Sequence, residues 1–198
     1  YADAAKIIFP VSRLVVDPER FLEDPMESVG MGVVYTHTAD GKALRDISYV
    51  ERLALIDTYY HPHHNRLTGM VDDSLEHNGR CLIIDCHSFP AQPLPYETDS
   101  NRPDICIGTD SFHTSLELRD GLSAAFTARG YSVSINSPFS GTIVPLKHYL
   151  KDRRVSSIMI EVNRSLYDDR GGFSRLQSDL SDLIAQVATI GVFGNTGE

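Results

Sequence analysis

The sequence lacks tryptophan, long apolar runs and internal repeats, and it has only three cysteines in 198 residues. No stretch reaches the roughly 18 apolar residues of a membrane span, and the first residues lack the pattern of a signal peptide. The cysteines, Cys81, Cys86 and Cys106, stand in apolar surroundings without C-x-x-C spacing. This usage predicts buried, reduced thiols in a cytoplasmic protein and argues against a disulfide framework.

The chain also has few basic residues relative to its acidic ones. The chain has 18 Lys+Arg against 27 Asp+Glu, which gives a net charge of -9 at pH 7. Such a field repels nucleic acid and anionic membranes, so we expect neither as a partner. An anionic small molecule would need local arginines to overcome the same field. With 41% hydrophobic residues, the chain is long enough to bury a full core as one α/β domain over residues 1–198.

Strand-like and helix-like segments alternate along the chain, which predicts an α/β protein. Proline at position 62 is expected to break or restart the first long helix, and Asn78-Gly79 is expected to end its second part. We predict strands over residues 8–16, 32–36, 81–88, 104–108, 131–136 and 155–162. We predict helices over residues 48–60, 62–78, 112–129 and 173–190.

Two of the predicted strands end in polar clusters, Asp85-His87-Ser88 and Glu161-Asn163-Arg164. In open α/β sheets, ligands bind beyond the carboxyl ends of the strands. A histidine there can offer a neutral imidazole to a metal, and a glutamate can take a proton from bound water. Each residue also has an ordinary structural alternative. His87 could be a hydrogen-bonded structural group, and Glu161 could form a salt bridge with Arg164 or Arg20.

Other candidates lie in segments outside the strands. Arg20, in Asp17-Pro18-Glu19-Arg20-Phe21, can hold a carboxylate through two parallel hydrogen bonds, or it can form a surface ion pair with Glu23 or Asp24. Arg102 is either a second carboxylate clamp or a loop salt bridge. The run Tyr60-His61-Pro62-His63-His64 invites a metal interpretation, but the proline is expected to point the rings apart, which favours substrate or indirect contacts.

Several motifs, in the same order, resemble the N-formylglutamate amidohydrolase family over nearly the whole chain. They are SRLVVD at 12–17, GMGVVY at 30–35, IDCHS at 84–88, RPDICIGT at 102–109, NSPFSG at 136–141 and IEVNRSLY at 160–167. The resemblance implies the fold of zinc carboxypeptidases and aspartoacylases. That fold is an α/β three-layer sandwich with a mixed, mostly parallel central sheet.

The resemblance also implies roles for individual residues. His87 is the implied zinc ligand, Glu161 the implied general base, and Arg20 the implied substrate-binding arginine. The further substrate-binding candidates are His64, Arg102, Asn136 and Arg164. The implied reaction is hydrolysis of N-formyl-L-glutamate, a small anionic N-acyl amino acid, to formate and L-glutamate in histidine catabolism. A close variant is deacylation of another N-acyl amino acid.

The chain departs from the family pattern in two ways. Glu19 stands where the arginine motif usually carries asparagine, and no histidine precedes Arg20 to supply the early zinc ligands. Either the segment with those ligands is absent from this sequence, which we expect, or the metal site has changed. A different function is therefore an alternative: a non-catalytic protein that binds an acidic amino-acid derivative. The presence of both His87 and Glu161 favours the enzyme.

Overall fold

The longest apolar runs form the centre of a four-stranded sheet. A computed structural model describes residues 4–93, 100 and 102–190 of the chain. The strands, in chain order, are β1 (Cys81–Phe89), β2 (Ile105–Gly108), β3 (Val133–Ile135) and β4 (Val155–Asn163). They lie in the order β1-β4-β2-β3; β1 and β4 are parallel, β2 and β3 are parallel, and β2 runs antiparallel to β4. The predicted α/β class with a mixed, mostly parallel sheet is confirmed.

The described residues divide into two compact units, 4–73 and 74–190. That the chain forms one domain stays a prediction. The helices are α1 (Tyr49–Leu55), α2 (His61–Asn78), α3 (Leu116–Ala128) and α4 (Arg170–Ile190). None of the helices in the described part of the chain is long and apolar enough to cross a membrane.

In the C-terminal unit, α3 and α4 cover one face of the sheet. Ser115 caps the start of α3 by accepting the N–H of Leu118, and Asp169 accepts the N–H of Gly172 at the start of α4. The core under these helices takes every second residue of the strands, as the two-residue period of a strand requires. It includes Ile105, Ile107, Leu118, Leu122, Phe126, Ile158, Ile160, Val162, Leu176 and Leu183. The alternate residues, many of them polar, therefore lie on the opposite face.

In the N-terminal unit, one helical stretch continues through the proline that was expected to interrupt it. Ser48 and Glu51 form a capping box at the start of α1. A π-helical turn, Ile56–Tyr60, then leads directly into α2, and the N–H of His61 bonds to the carbonyl of Ile56. This wider turn lies just before Pro62, which has no N–H to donate, so the helix continues. As predicted, α2 ends before Gly79, which has a φ of 71°.

The predicted strands over residues 8–16 and 32–36 are wrong. Val16, Val33 and Val34 are fully buried, which explains the strand-like pattern. They form no strand: the N–H of Val16 bonds to Ser12 O within a turn, and the Val33 carbonyl accepts the N–H of Asp17. Likewise, Thr36 and His37 both donate to Gly30 O. The valines are buried but do not pair with a neighbouring strand, so their apolar pattern wrongly predicted strands.

Candidate functional site

His87, Glu161 and Cys106 form a row across the face of the sheet that α3 and α4 leave uncovered. His87 is the register partner of Glu161 across the parallel β1–β4 pair, and Glu161 is the partner of Cys106 across the antiparallel β4–β2 pair. Directly paired residues project to the same face, on strands about 4.8 Å apart. Glu161 and Cys106 are buried, and His87 is half-buried. The polar ends of two strands, predicted separately from the sequence, therefore lie side by side.

A buried carboxylate, Asp85, holds the ring of His87. The distance between Asp85 Oδ1 and His87 Nε2 is 2.7 Å, and Asp85 Oδ2 accepts the N–H of Ile143 at 3.2 Å. Asp85 is 9% exposed. Ile143 is held in turn by Ser157, whose hydroxyl donates to the Ile143 carbonyl at 2.8 Å. The pair therefore belongs to a buried polar network beneath the row.

The carboxyl ends of β1 and β4 are tied together by Arg164. Its Nε donates to Ser88 Oγ at 3.2 Å and its Nη2 donates to the Ser88 carbonyl at 3.3 Å. The Arg164 side chain remains exposed. Asn163, which is buried, donates to the carbonyl of Pro103 at 3.2 Å and accepts the N–H of Ser165. Arg164 thus lies at the edge of the sheet where a ligand was expected.

Aromatic rings lie at the same edge. The guanidinium of Arg102 lies 5.9 Å from the centre of the Phe89 ring, and the Phe89 and Phe139 rings are 5.6 Å apart. The thiol of Cys106 donates to the carbonyl of Phe139 at 3.2 Å. Burial is the main cause that raises the pKa of Cys106, and the nearby Glu161 carboxylate adds to it. Cys106 is therefore a neutral thiol beside Glu161.

Asn136 lies apart from this edge. It follows β3, and because β2 and β3 run opposite to β4, their carboxyl ends point away from the carboxyl ends of β1 and β4. Its side chain is engaged: Oδ1 accepts the N–H of Thr109 at 2.9 Å and Nδ2 donates to Thr109 Oγ1 at 2.7 Å. Asn136 also has a positive φ of 55°. These contacts indicate a structural role that links β2 to β3.

In the N-terminal unit, the buried carboxylate of Asp17 organises the residues around Arg20. Asp17 Oδ2 accepts from Arg13 Nη2 at 2.6 Å and from the Tyr35 hydroxyl at 3.0 Å, while Oδ1 accepts the N–H of Glu19 at 3.1 Å. Arg20 is held less tightly, with Nε 3.7 Å from Asp17 Oδ2 and Nη1 3.8 Å from Asp24 Oδ1. Among the residues described, Arg20 Nε has no hydrogen-bond partner. Arg20 therefore keeps donor capacity for another acceptor.

Two side chains of the long helical stretch contact the turn that carries Arg20. The Tyr60 hydroxyl donates to the Arg20 carbonyl at 2.9 Å, and His64 Nε2 lies 2.9 Å from the Pro18 carbonyl. A carbonyl only accepts, so Nε2 of His64 carries the proton. Burial lowers the pKa of His64, although the bond to Pro18 opposes this shift. His64 is therefore a neutral donor that supports the Arg20 turn.

The other histidines of the run do not form a metal group. Among the residues described, His61, His63 and His64 do not bring three ligand atoms together. His61 lies 3.6 Å from Asp57, and the His63 ring packs edge-on against Phe9 with centroids 5.1 Å apart. The His63 and His64 rings lie edge-on to each other with centroids 5.6 Å apart, so the expectation that the rings point apart is wrong for this pair.

The sequence analysis named Asp85 in a polar cluster and Asp17 in the Arg20 segment, but it assigned no role to either of these two acids. Asp85 had a signal: it stands two residues before His87 on a strand, so both side chains face the same way. For Asp17, no sign of this role was visible in the sequence beyond its position three residues before Arg20. Its partners Arg13 and Tyr35 reach it only in the folded protein.

The groups on the face of the sheet opposite α3 and α4 fit a divalent metal of the zinc type. Imidazole and carboxylate groups are common zinc ligands, and a metal-binding histidine commonly donates its other ring N–H to a carboxylate. His87 has such a carboxylate partner in Asp85. Glu161, on the same face, is suitably placed to act on a reactant held near His87.

A family model and one solved structure point to the same family. The family model described as N-formylglutamate amidohydrolase matches residues 1–168. The crystal structure of N-formylglutamate amidohydrolase from Ralstonia eutropha is similar, with a TM-score of 0.77 and 25% identity, covering 92% of this chain and 76% of that one. A gene product of Agrobacterium tumefaciens shares the fold, with a TM-score of 0.67 and 21% identity over 89% of this chain and 68% of that one. No curated protein matches the chain.

Proposed function

Because this chain belongs to the N-formylglutamate amidohydrolase family, we propose that it hydrolyses the amide bond of N-formyl-L-glutamate to formate and L-glutamate. The observation that carries the proposal is the pairing of His87 with Glu161 on the face of the sheet opposite α3 and α4. A buried glutamate beside a histidine held by a carboxylate is suited to general-base hydrolysis at a metal. Family membership supports an amide as the substrate, and the geometry supports the roles proposed for His87 and Glu161.

We assign the proton transfers to Glu161. Its carboxylate takes a proton from the attacking water and passes it to the nitrogen of glutamate as the C–N bond breaks. Formate leaves with the oxygen of the attacking water, and both protons of that water end on the glutamate amine, which leaves as an ammonium group. His87 would hold the zinc ion, which when bound would supply Lewis-acid polarisation of the carbonyl and a lower pKa for water. Glu161 is buried beside the neutral thiol of Cys106.

For the carboxylates of the substrate, we propose Arg20 as the principal partner. Its ion pairs are longer than hydrogen bonds, so its donors can be redirected to a ligand carboxylate at little cost. Arg102 and Arg164 are proposed as further contacts at the sheet edge, and His64 supports the turn that presents Arg20. A direct role for Asn136 has the weakest support, since its amide already bonds to Thr109.

The proposal includes zinc as cofactor and a cytoplasmic location. The imidazole of His87 is a ligand of a kind that zinc accepts, and the carboxylate of Asp85 holds its ring. All three cysteines are free thiols, which suits a reducing compartment.

The experiment that tests the proposal measures formate release from N-formyl-L-glutamate. The protein is stripped of metal with a chelator and assayed with and without added zinc. We expect release only with zinc, and much slower release from N-formyl-L-norvaline, which lacks the side-chain carboxylate. N-acetyl-L-glutamate tests whether a larger acyl group is accepted.

Two variants complete the test. His87→Gln is expected to lose zinc-dependent release, whereas the matched control His61→Gln, at an exposed position, is expected to keep it. No release from any of these substrates under either condition would contradict the enzymatic proposal. Binding of N-formyl-L-glutamate without turnover would instead support the non-catalytic alternative.

A further inference from the structure

A short segment, residues 139–143, crosses the sheet on the face opposite α3 and α4. On β2, the Cys106 thiol donates to the carbonyl of the first residue of this segment at 3.2 Å. On β4, the Ser157 hydroxyl donates to the Ile143 carbonyl at 2.8 Å, and on β1, Asp85 Oδ2 accepts the Ile143 N–H at 3.2 Å. Side chains from three neighbouring strands therefore hold this crossing segment to the sheet.

The crossing segment borders the row formed by Cys106, Glu161 and His87. Its first residue is held by Cys106, which is a member of the row. Its last residue is held by Ser157 and Asp85, which lie four residues before Glu161 on β4 and two residues before His87 on β1. The segment therefore approaches the row from the side away from the carboxyl ends of β1 and β4.

Phe139, the first residue of the crossing segment, lies beside the row. Its carbonyl is held by Cys106, the register partner of Glu161, and its ring lies 5.6 Å from the ring of Phe89. Phe89 is buried and lies two residues after His87 on β1, so both side chains leave the same face of the sheet. The Phe139 side chain is itself half-buried. It is therefore an apolar wall next to the groups proposed to act on the substrate.

We propose that Phe139 is a specificity-determining residue, which limits the size of the acyl group that is hydrolysed. This inference rests on the proposed function, in which the acyl carbon reacts near Glu161 and His87. An acetyl group carries a methyl where a formyl group carries a hydrogen, so the larger group needs space that the wall occupies. The hydrogen bond from Cys106 holds the backbone of Phe139, and packing against Phe89 restricts its ring. The wall therefore resists displacement by the methyl group.

The experiment compares kcat/KM for N-formyl-L-glutamate and N-acetyl-L-glutamate, from the release of formate and acetate by the zinc-loaded protein. One additional carbon in an apolar pocket typically changes kcat/KM by about 10- to 200-fold, and we expect the unsubstituted chain to favour the formyl substrate within this range. In Phe139→Ala, we expect the formyl-to-acetyl ratio to fall by about tenfold or more. Phe139→Tyr retains the ring and should retain the ratio.

The ratio, and not the rate, tests the inference, because a purely structural role would change the rate with both substrates alike. Phe173→Ala, which removes an exposed ring from α4, is the matched control and should leave the ratio unchanged. Phe139→Leu is a smaller change, which keeps the test valid if Phe139→Ala does not fold, and it should give an intermediate ratio. An unchanged ratio in Phe139→Leu and in a folded Phe139→Ala would overturn the inference.

Calorimetry separates this inference from the proposed function. The affinities of both ligands are measured for zinc-loaded Glu161→Gln, with and without Phe139→Ala, so that no turnover is needed. We expect the acetyl ligand to bind more weakly than the formyl ligand, and the difference to shrink when the ring is removed. That result in a chain that releases no formate would support the role of Phe139 while contradicting the proposed function. Equal affinities before the ring is removed, or no binding of either ligand, would overturn the inference.

Discussion

His87 and Glu161 are direct register partners on neighbouring parallel strands, so their side chains leave the same face of the sheet at the same level. The relationship is fixed by the backbone hydrogen bonds between β1 and β4. A substitution at one residue therefore leaves the backbone position of the other unchanged. This property makes the pair suitable for separate tests of metal binding and proton transfer.

The first prediction concerns Glu161→Gln. The substitution keeps the size of the side chain but removes the base, so we expect kcat for formate release to fall by about 10²- to 10⁴-fold. Zinc affinity and the thermal unfolding midpoint should change little. Glu117→Gln, at an exposed position in the first turn of α3, is the control. Near-normal turnover in Glu161→Gln would show that another group accepts the proton.

The second prediction concerns Arg20→Lys. Lysine keeps the charge but cannot form two parallel hydrogen bonds to a carboxylate, so we expect KM for N-formyl-L-glutamate to rise about tenfold. We expect little change in kcat, because the lost contact is made equally in the ground state and the transition state. Steady-state kinetics check this, with the exposed Arg66→Lys as the matched control. An unchanged KM would remove Arg20 from the substrate site.

The third prediction concerns pH and His64. Its folded-state pKa is lowered, chiefly by burial, so the unfolded chain binds more protons between this pKa and the ordinary value near 6.5. The free energy of unfolding therefore rises with pH across that interval. The contribution of His64 is fully present above the interval and is lost as the pH falls through it. In His64→Gln, which can still donate to Pro18, this contribution disappears. Urea unfolding at pH 7.5 and 5.5 should give a smaller difference for the variant; equal differences would contradict the prediction.

The fourth prediction compares two glycines. A Cβ at Gly108 would meet the carbonyl oxygen of Gly141 and the side chain of Met159, and the carbonyl cannot move without the backbone. We expect Gly108→Ala to cost about 1–3 kcal/mol in the free energy of unfolding. Gly69, within α2, has open space around it, so Gly69→Ala should gain about 0.5–1 kcal/mol. Denaturant titrations of both variants check the opposite signs, and a stabilised Gly108→Ala would contradict the packing argument.

The sequence predicted well those features that depend on local patterns. β1 and β4 are long apolar runs, and each was placed to within one residue. The ends of α2 and α3 were marked by Gly79 and Gly130, both of which have positive φ. The family resemblance, carried by several motifs in order, is also confirmed. In each case, the physical signal lies within a few neighbouring residues.

Features that depend on distant partners were not predicted. The direction of β2 is set by its pairing with β4, and it places Asn136 away from the sheet edge where a ligand was expected. The buried valines of the N-terminal unit looked like strand residues because hydrophobic periodicity reports burial and not hydrogen bonding. The candidate roles of Glu161, His87 and Arg20 stay predictions until they are measured.

The π-helical turn Ile56–Tyr60 has a consequence for the rotation of the helix that follows it. Each residue of an α-helix advances the direction of the side chains by about 100°, so one residue more or less in a turn changes their angular phase. Tyr60 and His64 reach the carbonyls of Arg20 and Pro18 in the phase that this turn sets. Deleting one residue from it would rotate both side chains away from those carbonyls while leaving them helical. The number of residues in the turn, more than their identity, therefore fixes which side of the helix supports Arg20.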